Sequence, residues 1–109
     1  CGDEVLVQLR LDSDRVHGIC VSVEGCAICK ASGSLMSEAV ADMRLDKVVA
    51  THDALFELLR GRTDDSETAN SLGPLTVLET VRQSPIRIKC ALLPWTALRD
   101  GIAHVRPAR

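Results

Sequence analysis

The chain has 109 residues, 46% of them hydrophobic and 26% charged, with 13 basic against 15 acidic side chains and a formal charge of -2. That balance fits one globular domain: the chain is too short for two of ordinary size, too apolar for disorder, and lacks the basic surplus a phosphate backbone would demand. No apolar run approaches the roughly 20 residues of a membrane span, and the two aromatics, Phe56 and Trp95, are too few for stacking platforms. The expectation is a soluble cytoplasmic protein without nucleic-acid or membrane partners. Because it opens on Cys1 and not methionine, residues 1–109 are read as a single domain whose native N-terminal segment is missing.

In chain order, Val5, Leu6, Val7, Leu9 and Leu11, a polar Asp12-Ser13-Asp14 turn, then Val16, Ile19, Val21 and Val23 predict a β-hairpin. After Gly25 the apolar period becomes helical through Ile28, Ala31, Leu35 and Ala39, so a helix should start at or just after Cys26. A second helix carries Val48, His52, Leu55 and Leu59 on one stripe, widened by Val49 and Phe56, with Gly61 as its stop. Residues 61–74 are small and polar without apolar periodicity and read as a mobile surface loop. Pro74 opens a short helix through Leu75, Leu78 and Val81 that must end near Ser84, ahead of Pro85. The last helix shows Ala91, Trp95, Leu98 and Ile102, and Pro94 is expected in its first turn, which places Cys90 at its N-terminal end. The sum is an α+β fold, a small antiparallel sheet packed by about four helices.

Cysteine is the informative count, because Cys1, Cys20, Cys26, Cys29 and Cys90 are many for a chain of this size, and the number is odd. Metal binding or thiol chemistry is a better reading than a disulfide framework. Cys26 and Cys90 each precede a predicted helix, where free amides favour a thiolate. Cys1-Gly2-Asp3 adds a sulfur and a carboxylate at positions i and i+2 of an extended segment, which share a face. Three sulfurs and one oxygen suit zinc, or an iron–sulfur cluster with one labile ligand.

Cys-Gly-Asp at 1–3, Gly-Cys-Ala-Ile-Cys-Lys-Ala-Ser at 25–32 and Arg-Ile-Lys-Cys-Ala-Leu-Leu-Pro-Trp at 87–95 together resemble the NifU/IscU-like iron–sulfur assembly proteins, most closely their SufU branch. The resemblance runs over essentially the whole chain. The segment containing 61–74 looks like the insertion separating SufU from the IscU scaffolds, and Lys89 stands where IscU proteins carry histidine. The resemblance implies an IscU-type fold with Cys1, Asp3, Cys26 and Cys90 as zinc ligands and Arg87 beside the metal. It implies a zinc-dependent sulfur acceptor that takes persulfide sulfur from a pyridoxal-phosphate (PLP) cysteine desulfurase of the SufS kind and hands it toward downstream scaffold proteins. In that scheme a desulfurase histidine displaces one cysteine from zinc, and the freed thiolate, matched here by Cys1, attacks the persulfide. The alternative is a scaffold holding a transient [2Fe–2S] cluster on the same residues, with Asp3 the weak ligand and Cys90 the sulfur acceptor.

Cys29 stands where the family has serine and makes a Cys-x-x-Cys with Cys26. Helix packing, a redox partnership with Cys26 and a metal role all remain open for it. Cys20, between Ile19 and Val21, reads as a small buried hydrophobe. His17, His52 and His104 lie away from the motif cysteines and are expected to be structural or exposed, while Ser32 and Ser34 read as small residues of a packed helix.

Overall fold

The alternation of apolar and polar residues at the start of the chain folds as the hairpin it predicts, in a computed structural model that describes residues 3–60 and 72–105. Strands β1 (Glu4–Asp12) and β2 (Arg15–Glu24) pair antiparallel, with Val5 opposite Val23, Val7 opposite Val21 and Leu9 opposite Ile19. These residues face the helices half-buried, whereas Leu6 points outward and is 58% exposed. The tight turn is made possible by Ser13 at φ 56°, and a register shift between Arg10 and Leu11 sets Leu11 against the fully buried Val16. Cys20 pairs with Gln8 on the outer face and is exposed. The buried position expected for it fails because side-chain direction in a strand follows the period of two, and Cys20 shares its parity with polar Ser22 and Glu24.

Helix α1 (Ala27–Ala39) begins where the period changes, with Cys26 in extended conformation as its N-cap. It buries Cys29, Ser32, Gly33 and Met36, one face at helical spacing. Gly33 lets this face lie close to the sheet, since a Cβ there would stand 3.0 Å from the Val23 side chain and 3.2 Å from that of Val21. After α1 the chain is tied back to the hairpin: the Val16 amide donates to the Met43 carbonyl (2.9 Å) and the Leu45 amide to the Asp14 carbonyl (2.7 Å).

Helix α2 (Leu45–Leu59) carries the expected buried stripe of Val48, His52, Leu55 and Leu59, joined by Leu45 and Leu58. Its expected stop, Gly61, and the loop up to residue 71 lie outside the described residues. The loop expected over 61–74 is shorter than that at its far end. Leu72 is 4% exposed within the core and Gly73–Val81 form a 3-10 helix that buries Leu75, Leu78 and Val81, so one leucine among polar residues anchors the chain there.

Helix α3 spans Pro85–Val105 and corrects the expectation that Pro94 lies in the first turn of the last helix, with Cys90 at its N-terminal end. Ser84 and Pro85 supply the start: the Arg87 amide donates to the Ser84 hydroxyl at 3.4 Å, and proline costs nothing at the first helical position. Pro94 instead lies inside the helix, fully buried. The roughly 3 kcal/mol an internal proline costs is outweighed by burying Ala91, Leu92, Trp95, Leu98 and Ile102, at about 1.5–3 kcal/mol for each large side chain. Helix α3 packs on α1, α2 and β1 and forms the centre of the core. Cys90 therefore sits within α3, not at its N-terminus.

Candidate metal centre

Three elements deliver one side chain each to a common point. Asp3 precedes β1, Cys26 caps α1 just beyond β2, and Cys90 faces inward from α3. Pairing of β1 with β2 sets Glu4 opposite Glu24, which brings Asp3 alongside Gly25 and Cys26. At Gly25 a Cβ would stand 2.5 Å from the Asp3 Cγ and 2.8 Å from its Cβ, so only glycine permits this approach. Cys90 is placed from the other side by the α1–α3 contact, where the buried Ser32 hydroxyl donates to the Ala91 carbonyl at 2.5 Å.

The Asp3 carboxylate and the sulfurs of Cys26 and Cys90 all lie within 4.8 Å of one another. The Cys26 amide donates to Asp3 Oδ1 at 3.3 Å, and the Cys26 Sγ lies 3.6 Å from Asp3 Oδ2. A hydrogen bond from the Cys90 thiol, seconded by the Cys26 amide, holds the Asp3 carboxyl below its ordinary value against a smaller opposing effect of burial. Burial, then hydrogen bonding to Asp3 and Cys26 and the proximity of their charges, pushes the Cys90 thiol up to about 12. The cluster thus resists a further negative charge as it stands. A dication would reverse that preference, and one carboxylate with two sulfurs is a donor set that zinc or iron accepts.

Of the residues expected at the site, Asp3, Cys26 and Cys90 come together, and Cys1 lies outside the described residues. Arg87 sits on α3 three residues before Cys90, exposed, and Lys89 is exposed beside it. The expected helix-end activation of Cys90 is replaced by a buried, protonated thiol, a consequence of its place inside α3. Cys29 is fully buried on the packed face of α1, and its thiol is also pushed up, by burial first and then by the charges of Asp3 and Cys26. His52 is buried on α2 with Nδ1 2.9 Å from Asp53 Oδ1, and His17 and His104 are exposed, all away from the cluster. Gly25 and Ser32 are the positioning residues that sequence reasoning passed over. The glycine directly before a motif cysteine was the available signal for the first; nothing local marks the second.

A profile of the NifU-like N terminal domain family matches residues 1–91. The chain is 33% identical over 103 residues to the zinc-dependent sulfurtransferase SufU of Bacillus subtilis, covering 94% of this chain and 69% of that protein. It is 32% identical over 102 residues to the iron–sulfur cluster assembly scaffold protein IscU of Streptococcus pyogenes, covering 94% of this chain and 63% of that protein. Its fold superposes with a TM-score of 0.82 on the crystal structure of a SUF-system iron–sulfur scaffold protein from Fervidobacterium islandicum, at 31% identity over 90% of this chain and 70% of the other. The hairpin packed by helices agrees with these matches, and the chain belongs to the NifU-like N-terminal domain family of iron–sulfur cluster assembly proteins.

Proposed function

We propose that this chain is a zinc-dependent sulfur acceptor serving iron–sulfur cluster assembly in the cytoplasm, with Cys1, Asp3, Cys26 and Cys90 as its metal ligands. The observation that carries this reading is the convergence of Asp3, Cys26 and Cys90 within 4.8 Å. Its kinship to a zinc-dependent sulfurtransferase supports it. Bound zinc would supply the positive charge that keeps the sulfurs as thiolates and guards them from oxidation.

The residues of the chain supply the rest. Asp3, ionised and held by the Cys26 amide, is the hard, exchangeable member of a soft donor set. Cys1 is the acceptor: its thiolate attacks the outer sulfur of the persulfide on a PLP-dependent cysteine desulfurase, the S–S bond breaks, and the desulfurase cysteine departs as a thiolate. The charges of Arg87 and Lys89, flanking Cys90, favour the anionic sulfur as it arrives. Residues 1–109 act as one domain in this scheme, and downstream scaffold proteins receive the sulfur.

The test is elemental analysis with a visible absorption spectrum on protein purified without oxygen, followed by desulfurase turnover with and without the chain. About one zinc per chain, no visible band and faster turnover are expected. Iron with acid-labile sulfide and a visible charge-transfer band would replace this reading with that of a scaffold carrying a [2Fe–2S] cluster as cargo. A folded, metal-free protein would exclude both.

A further inference from the structure

Cys26 and Cys29 occupy the N-cap and N3 positions of α1, one extended and outside the helix, the other in its first turn. In a capping box the side chains at these two positions each reach the other residue's backbone amide, so both can lie over the first helical turn; Cys26 makes no such bond here, its sulfur standing beside Asp3 instead. Three residues apart at the start of a helix, the two lie on the same side of it, and Cys26 is near enough for its charge to act on the Cys29 thiol; a disulfide between them needs Cα atoms about 4.4–6.8 Å apart. Both are free thiols, and they differ in access: Cys26 is exposed, whereas Cys29 is fully buried behind it. Among the described residues Cys29 is not part of the three-donor cluster, so its thiol is uncommitted when Cys26 leaves Asp3 and Cys90.

We propose that Cys26 and Cys29 are a reversible disulfide site, closed when the metal centre is empty and a low-molecular-weight disulfide is present, with Cys26 the thiol that first attacks that disulfide and Cys29 the resolving one. In the first step the Cys26 thiolate attacks one sulfur of the small disulfide, forming a mixed disulfide and releasing one small thiolate. Cys29 then gives up its proton to solvent and attacks the Cys26 sulfur, expelling the second small thiolate. Two protein thiols are oxidised and one disulfide is reduced to two thiols. Rotation of the Cys26 side chain away from Asp3 is the main movement required, since the ring closes within one helical turn. Closure removes Cys26 from the donor set, so the oxidised chain cannot hold the ion until it is reduced.

The pairing stands whether or not the metal reading does; only the protection by zinc rests on that reading. Chelator-treated protein and zinc-loaded protein are therefore oxidised in parallel with oxidised glutathione, and the products are mapped by mass spectrometry after proteolysis. In the metal-free sample a single Cys26–Cys29 linkage is expected, reversed by dithiothreitol, with zinc uptake lost on oxidation and restored on reduction. Zinc-loaded protein should oxidise at least tenfold more slowly; equal rates would remove the protection while leaving the disulfide. Cys29→Ser, and Cys29→Ala as a second variant, should halt at the glutathione adduct on Cys26. Linkage of Cys26 to Cys90, or an intramolecular disulfide formed as fast in both Cys29 variants, overturns the proposal.

Discussion

Asp3 is the residue on which the cluster turns, because it is bonded to both cysteines and kept ionised by them. Replacing it by asparagine keeps the shape and removes the charge. Asp3→Asn is expected to weaken zinc binding by at least about tenfold, since loss of a group that merely orients a ligand already costs about ten- to a hundredfold, with an unchanged circular dichroism spectrum. Competition with a chromophoric chelator measures the first, and an unchanged affinity would remove Asp3 from the donor set. Cys90 makes the complementary prediction. Its thiol is pushed from an ordinary value of 9.0 up to about 12 in the metal-free fold, so above 9.0 the unfolded chain loses a proton that the folded chain keeps. Metal-free protein should therefore lose stability steadily as pH rises from 9.0 toward 12, read by urea midpoints at successive pH values. Cys90→Ser should flatten that decline, and a decline of undiminished slope in the variant would assign it elsewhere.

At the scale of elements, the site depends on how closely strand, cap and helix approach. Gly25→Ala would press a methyl group into the Asp3 side chain, which must move aside. The cost is about 1–3 kcal/mol, taken largely as displacement of Asp3, so zinc affinity should fall more than thermal stability does. Loss of stability with zinc affinity intact would show that the clash is relieved elsewhere. The hairpin, the cap of α1 and the stripe of α2 were legible in the sequence because each expresses its own local period. Cys20 and the run of α3 through Pro94 were not, for two different physical reasons. Strand parity decides the face of Cys20, and a cysteine between two apolar neighbours does not reveal that parity. Pro94 breaks a helix only when packing is weak, and the packing of α3 is contributed by α1, α2 and β1, far away in sequence. The resemblance of three motifs to a known family pointed to Asp3, Cys26 and Cys90 as partners, where spacing alone was weak, but the chemistry of Cys90 followed from its helix position and could be read only from the fold.

For the molecule as a whole, the single tryptophan gives a direct readout. Trp95 is fully buried at the centre of α3 and the chain has no tyrosine, so its fluorescence reports the core alone. Zinc held at a hundred times its Kd should add about 2.7 kcal/mol to the unfolding free energy, moving the Trp95 transition upward; no shift would mean that the ion binds the unfolded chain equally well. No helix among the described residues is long and apolar enough to cross a membrane.

The donors at positions 3, 26 and 90 also set an order of events. The hairpin alone offers Asp3, the hairpin with α1 adds Cys26, and the final sulfur is supplied only when α3 has docked across nearly the full length of the chain. Such long-range closure comes late in folding, since its loop entropy must be met before the contact rewards it. A chain still emerging, or one arrested short of α3, therefore lacks the Cys90 sulfur and with it the completed site. Assembly of the Asp3, Cys26 and Cys90 cluster becomes a certificate of complete folding, issued by the last helix to arrive.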